Sequence, residues 1–337
     1  MVDDVSRLGI EVDSRDVKKA SGDLDRFSKE GKKASGAAGK VEKSSKSMAG
    51  GMKRAATAVG AAVAALAAFG GSIRILSGFE RQMSTVGAVS RSTAGELAAM
   101  RDIAADLGST TEFTAQQAAS GLEFLARAGF SASESISAIP AVLDLATASA
   151  LGLGQAADIS SNIMSAFGIA ATDAASVADV LAGASSRANT DVTQLGSAMS
   201  FVGPVASSLG IEMSDAAAAI GVLSDAGIQG SAAGTGLRRV LSSLANPTGE
   251  AESRLSALGL TMEQLNPQTN DITEIVERLA GAGLSAADAL TIFGDRGGPA
   301  ILALTSQVGG LRDLTDELTN VGGEAQRMAD VMRDNLG

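Results

Sequence analysis

The residue types this chain lacks limit its chemistry before any motif is considered. It contains no Cys and no His. The usual zinc sites, a Ser-His-Asp relay and a thiol nucleophile are therefore excluded. Acid–base work would have to rest on carboxylates, and anion chemistry on Arg or backbone N–H groups. Four stretches remain as candidates. Gly152-Leu153-Gly154 is half of a dinucleotide fingerprint, but no strand pattern precedes it and no third glycine completes it, so a helix joint is the better reading. Gly230 to Gly236, followed by Arg238-Arg239, could hold an anion at a helix start. No Gly-Lys-Ser/Thr element exists to make a P-loop, and the favoured reading is a flexible interhelical loop with two surface arginines. Gly294-Asp295-Arg296-Gly297-Gly298 offers a local ion pair that would fix a turn, a contact contributing ~0–1 kcal/mol when exposed. Asp313, Asp316 and Glu317 pair carboxylates as a glycosidase does, but a sugar cleft is usually lined with aromatics, and aromatics here are 3%, all Phe. Those acids read as a solvated helix face. The expectation is that the chain is not an enzyme and has no catalytic, cofactor-binding or metal-ligating residue and no cofactor.

The elements that would position these residues are written as short helices. One joint recurs from Phe79 to about Gly298: a glycine, an apolar residue, then a small residue able to start a helix. Examples are Gly129-Phe130-Ser131, Gly168-Ile169, Gly210-Ile211, Gly259-Leu260-Thr261 and Gly283-Leu284-Ser285. Glycine suits the left-handed position that ends a helix, and Ser or Thr accepts from the free N–H groups that begin the next. Thr93 with Glu96, Thr114 with Gln117, Ser131 with Glu134 and Thr261 with Gln264 match the fuller capping box. Between joints, apolar residues recur at three and four, as in Leu97, Met100, Ile103, Ala104 and Leu107, over about three turns at a time. Pro140 is expected in the first turn of a helix, Gly203-Pro204 is expected to break the helix ending near Phe201, Asn246-Pro247-Thr248-Gly249 reads as a turn, and Pro299 is expected to open a last apolar helix. The spacing of joints is too irregular for a solenoid repeat.

Residues 1–54 are chemically distinct. All nine lysines lie there, and with four arginines against nine acids the segment is +4, which leaves −15 for the remainder of a chain whose net charge is −11. Leu8, Ile10 and Val12 alternate as in a short strand; a weak heptad seam or a solvated basic arm follows, two readings that stay open. Residues 55–71 are nearly uncharged and Ala-rich, short of the ~20 residues that span a bilayer, and are read as a buried or self-associating helix in preference to a membrane span. The expected organisation is a basic arm over 1–54, an Ala-rich apolar helix over 55–76, a helical core over 77–320 and the start of a C-terminal helix over 321–337 that reads as continuing past Gly337. The fold class is all-α: a compact bundle of short Gly-capped helices, preceded by the short strand and the longer N-terminal helical arm. The acidic balance argues against a dedicated nucleic-acid binder, and the absence of cysteine removes any disulfide framework.

Read as an ordered series, the motifs resemble the N-terminal conserved region of phage tail tape measure proteins of the TP901 type. The residues that carry this are Phe79-Glu80-Arg81-Gln82-Met83, Leu107-Gly108-Ser109-Thr110-Thr111-Glu112-Phe113-Thr114 and Gly121-Leu122-Glu123-Phe124-Leu125-Ala126-Arg127-Ala128-Gly129-Phe130. They continue in Asn162-Ile163-Met164-Ser165-Ala166-Phe167-Gly168, in Ala226-Gly227-Ile228-Gln229-Gly230-Ser231 through Arg238, and in Ile292-Phe293-Gly294-Asp295-Arg296-Gly297-Gly298-Pro299-Ala300. The resemblance spans about residues 77 to 335. It implies a structural component of the virion, inside the tail lumen after assembly in the host cytoplasm, that takes part in tail assembly, length determination and genome delivery. The partners it implies are the tail tube protein, tail assembly chaperones, baseplate or tail-tip proteins and further copies of the chain, with host membrane contact through residues 55–71 and only indirect contact with DNA. Two readings from other classes compete: a membrane-active or pore-forming helical protein, resting on 55–71, and a helical adaptor whose grooves bind a protein partner.

Overall fold

The computed structural model describes residues 77–334, and every described element is a helix; no strand occurs among the described residues. The proposed strand at Leu8–Val12, the basic arm, the apolar segment 55–71 and the end at Gly337 lie outside them.

A helix over residues 77–90 (α1) is followed by α2 (Ala94–Thr110), α3 (Ala115–Arg127), α4 (Ala132–Ala148) and α5 (Leu153–Phe167). A single 3-10 turn (Ala171–Asp173) leads into α6 (Ala174–Arg187), α7 (Val192–Ser208), α8 (Met213–Asp225) and α9 (Gly230–Ala245). The chain closes with α10 (Gly249–Ala257), the one-turn α11 (Met262–Leu265), α12 (Ile272–Gly281), α13 (Ala286–Ser306), α14 (Val308–Thr319) and α15 (Glu324–Asp334). Among these no single helix is long and apolar enough to cross a membrane; α4 and α5 reach that composition only as a pair bent by 119°.

The starts are written in side chains. Thr93, Thr114, Ser131 and Thr261 each accept from the backbone N–H three residues on, while Glu96, Gln117, Glu134 and Gln264 reach back to the cap's own N–H. Asp191, Thr248 and Ser285 cap α7, α10 and α13 with one such bond each. The end of α5 shows the matching stop. Gly168 has φ +68°, and Ile169 N–H turns back 2.9 Å to Met164 O, the bond five residues back that closes an αL-ended helix.

The three helix prolines depart from the sequence expectations. Pro140 is the ninth residue of α4, Pro204 sits within an unbroken α7, and Pro299 lies inside α13, which α14 and α15 follow. All three are exposed. On that face the carbonyl deprived of its N–H partner meets solvent, so each helix continues through its proline. The break in α13 is instead at Gly294, whose φ of +70° and ψ of −177° only glycine adopts readily.

Packing follows alternation along the chain. Neighbours α3–α5–α7–α9–α13 make one row, α4–α6–α8–α14 a second, and α15 lies on α4 and α6. From α3 to α9 contacts therefore run largely from each helix to the next but one; beyond α9 the rows close by longer steps, α9 onto α13 and α8 onto α14. One apolar core runs from Phe79 to Ala325. At its centre α8 buries Ala216 to Ala219 with Ile220, Val222 and Leu223. Small residues let backbones come close: a Cβ on Gly234 of α9 would lie 2.1 Å from Ala198 O of α7, and one on Gly236 would lie 2.9 Å from Ala300 Cβ of α13.

Candidate functional site

The structure disperses the four sequence candidates. Gly152 is the N-cap of α5 and serves as a helix joint. Gly230 to Gly236, expected as a flexible loop, forms the first two turns of α9, because Gly234 and Gly236 are the positions where α7 and α13 close in. Its two arginines have partners: the Arg238 guanidinium stands 6.0 Å over the Phe201 ring, and Arg239 Nε donates to Phe293 O at 3.2 Å. Arg239 thus satisfies a carbonyl at the Gly294 break. Asp295 and Arg296 lie in helix just past that break and form no ion pair with each other; the backbone conformation of Gly294, not a charge pair, sets the bend. Of the three paired acids on α14, Glu317 binds Arg187 of α6 at 2.9 Å and Asp316 faces a cleft.

That cleft, of about 1090 Å³, is the concavity with the most pronounced chemistry. Asp173 of the 3-10 turn, Glu212 and Asp215 at the start of α8, Asp271, Glu274 and Glu277 along α12, and Asp316 of α14 line it; the one cation lining it is Arg312 of α14, which is paired to Glu277. The Thr273 and Thr315 hydroxyls stand 3.4 Å apart across the α12–α14 contact. Asp215 has no hydrogen-bond partner for its carboxylate among the described residues. Burial first, then the charges of Asp271 and Glu212, push it up to about 6. Among the described residues no group of Asp and Glu is arranged to hold a metal ion. The cleft can attract cationic groups and repel polyanions. Four separate stretches of chain build it, so spacing along the chain could not have found it; the surplus of negative charge after residue 54 was the one signal available.

The described residues form a scaffold of short helices, and comparison with known proteins places it in a family. The family described as phage-related minor tail protein matches residues 101–295, more than half of the chain. The chain belongs to the phage-related minor tail protein family. The matched part runs from within α2 to just past the Gly294 break, so it takes in the 3-10 turn, α8 and α12 walls of the cleft and leaves out α14. Over 258 residues the chain is 35% identical to the tape measure protein of Pneumococcus phage Dp-1, covering 74% of this chain and 22% of that protein. Over 254 residues it is 30% identical to the probable tape measure protein of Escherichia phage P2, covering 72% of this chain and 31% of that one. The chain therefore spans between a fifth and a third of the length of these relatives. No solved structure matches it.

Proposed function

We propose that this chain is the N-terminal part of a tape measure protein of the TP901 type: a structural component of the phage tail that works in tail assembly and length determination and turns over no substrate. The observation that carries the reading is the 35% identity to a tape measure protein across 74% of the chain. Its partners are then the tail tube protein, assembly chaperones, tail-tip or baseplate proteins and other copies of itself, met in the host cytoplasm during assembly and in the tail lumen of the virion.

Within that function, residues 77–334 form an assembly module and not the ruler. A ruler needs uninterrupted length, and a helix supplies ~1.5 Å per residue. The longest unbroken helices here have 17 residues, and each ends at a cap before the next helix begins. The direct test is a phage that carries this gene, with α10 and α11 (residues 249–265) deleted in frame, and tail length measured by electron microscopy. An assembly module yields no tails, or tails of unchanged length. Tails shortened by ~1.5 Å for each deleted residue would show that the module itself is extended along the tube and measures it.

A further inference from the structure

The helix α15 is attached in a different manner from the helices beneath it. Only Glu324, Ala325 and Ala329 of its eleven residues are buried, whereas α8 buries ten of thirteen. Besides the buried Ala325 and Ala329 and the partly buried Met328, charge holds α15 at both ends. At its start the carboxylate of Asp179, on α6, accepts from Gly323 N–H at 2.7 Å and Ala325 N–H at 2.9 Å, so a residue of another helix supplies its cap. Glu324 receives Arg187 of α6 at 3.2 Å. At the far end Arg333 reaches back to Glu112 at 2.9 Å and to Asp144 of α4 at 3.0 Å. The Arg333 side chain keeps 27% of its surface in water. Water and ions reach groups of that exposure, so salt weakens these pairs. The connection to α14 passes through Gly322-Gly323, the second at φ +77°, two residues that can reorient without steric penalty.

We propose that α15 is a releasable strap. It swings off α4 and α6 about Gly322-Gly323 while α1 to α14 stay folded, and so uncovers the surfaces of α4 and α6 on which it lies. This goes beyond the tail assembly reading and does not depend on it.

The whole chain, which has no cysteine, allows a clean test, because one introduced thiol reports one place. Ala329 of α15 and Ala219 of α8 are both fully buried. Under native conditions Ala329→Cys is expected to react with a maleimide at least ~10-fold faster than Ala219→Cys, since local opening precedes global unfolding. The ratio is expected to grow when NaCl is raised, and adding Arg333→Met is expected to speed the α15 thiol alone. Equal rates at the two sites, a ratio unmoved by salt, or an Arg333→Met effect that is the same at both sites overturns the proposal. If either cysteine variant fails to fold, amide exchange on the unaltered chain makes the same comparison: faster exchange over 324–334 than over 213–225 supports the strap, and equal exchange overturns it.

Discussion

Substituting alanine for Gly234 tests the packing argument at its tightest point. The added Cβ would lie 2.1 Å from Ala198 O and 2.8 Å from both Ala198 C and Ala198 Cα, all backbone atoms that no side-chain rotation can remove. To restore van der Waals contact, α7 and α9 must part by about 1 Å. Retreat is blocked, because Gly236 lies ~200° around the same helix and faces α13, where a Cβ would already meet Ala300 Cβ at 2.9 Å and Arg296 O at 3.2 Å. Overpacking of this kind costs about 1–3 kcal/mol, and more where the neighbours are backbone. Against it stands the ~1 kcal/mol that alanine gains over glycine within a helix. The expected net loss is ~2 kcal/mol, a fall in Tm of roughly 4–8 °C for a unit of this size. Gly310→Ala is the matched control. It sits in the first turn of α14 with nothing within 4 Å of its added methyl, and should gain ~0.5–1 kcal/mol. Urea titration and calorimetry of both variants read the difference. A Gly234→Ala protein as stable as the parent would mean that α7 and α9 do not approach this closely, and the two-row arrangement would lose its central contact.

Asp215 gives a pH signature. Its folded value, near 6, lies above its ordinary one, so the folded chain holds this proton more tightly than the unfolded chain. Stability should therefore fall as pH rises from about 4 to 6 and stay lowered above that, by ~1–2 kcal/mol after discounting for partial exposure. Asp215→Asn should raise Tm at pH 7 and flatten the profile between pH 4 and 6; an unchanged profile would show that the cleft does not load charge on this carboxylate. Ser131→Ala removes the hydroxyl that accepts from Glu134 N–H, while Glu134 keeps its bond from the backbone N–H of residue 131, and should cost about 1 kcal/mol by urea denaturation. Gly294→Ala must hold a side chain at φ +70° and ψ −177°, a cost of ~1–3 kcal/mol that the same titration detects.

Legibility followed range. The four capping boxes could be read from residue types three apart, because a cap involves nothing outside its own turn, and all four are present. The turn at Asn246–Gly249 is local in the same way, and it separates α9 from α10. The prolines misled because a proline's effect depends on which face of a helix it occupies, and that is decided by the neighbouring row. The glycines at 230–236 misled for a related reason. A glycine that ends a helix and one that admits another backbone look alike in sequence; Gly234 is the second kind only because Ala198 lies against it. The acidic cleft was beyond reach, since Asp173, Asp215, Asp271 and Asp316 meet only after the 3-10 turn, α8, α12 and α14 have been brought together.

The wrapping of α8 has a consequence for biosynthesis. Its small and branched residues are covered on one side by α6 and α7, which the ribosome delivers earlier, but on the other by α9, α12, α13 and α14, which it delivers later. Throughout that interval the alanine-rich surface of α8 lacks the later helices that bury it. Half-made copies are thus the form most prone to clump, and the form for which a dedicated escort protein would be of most use.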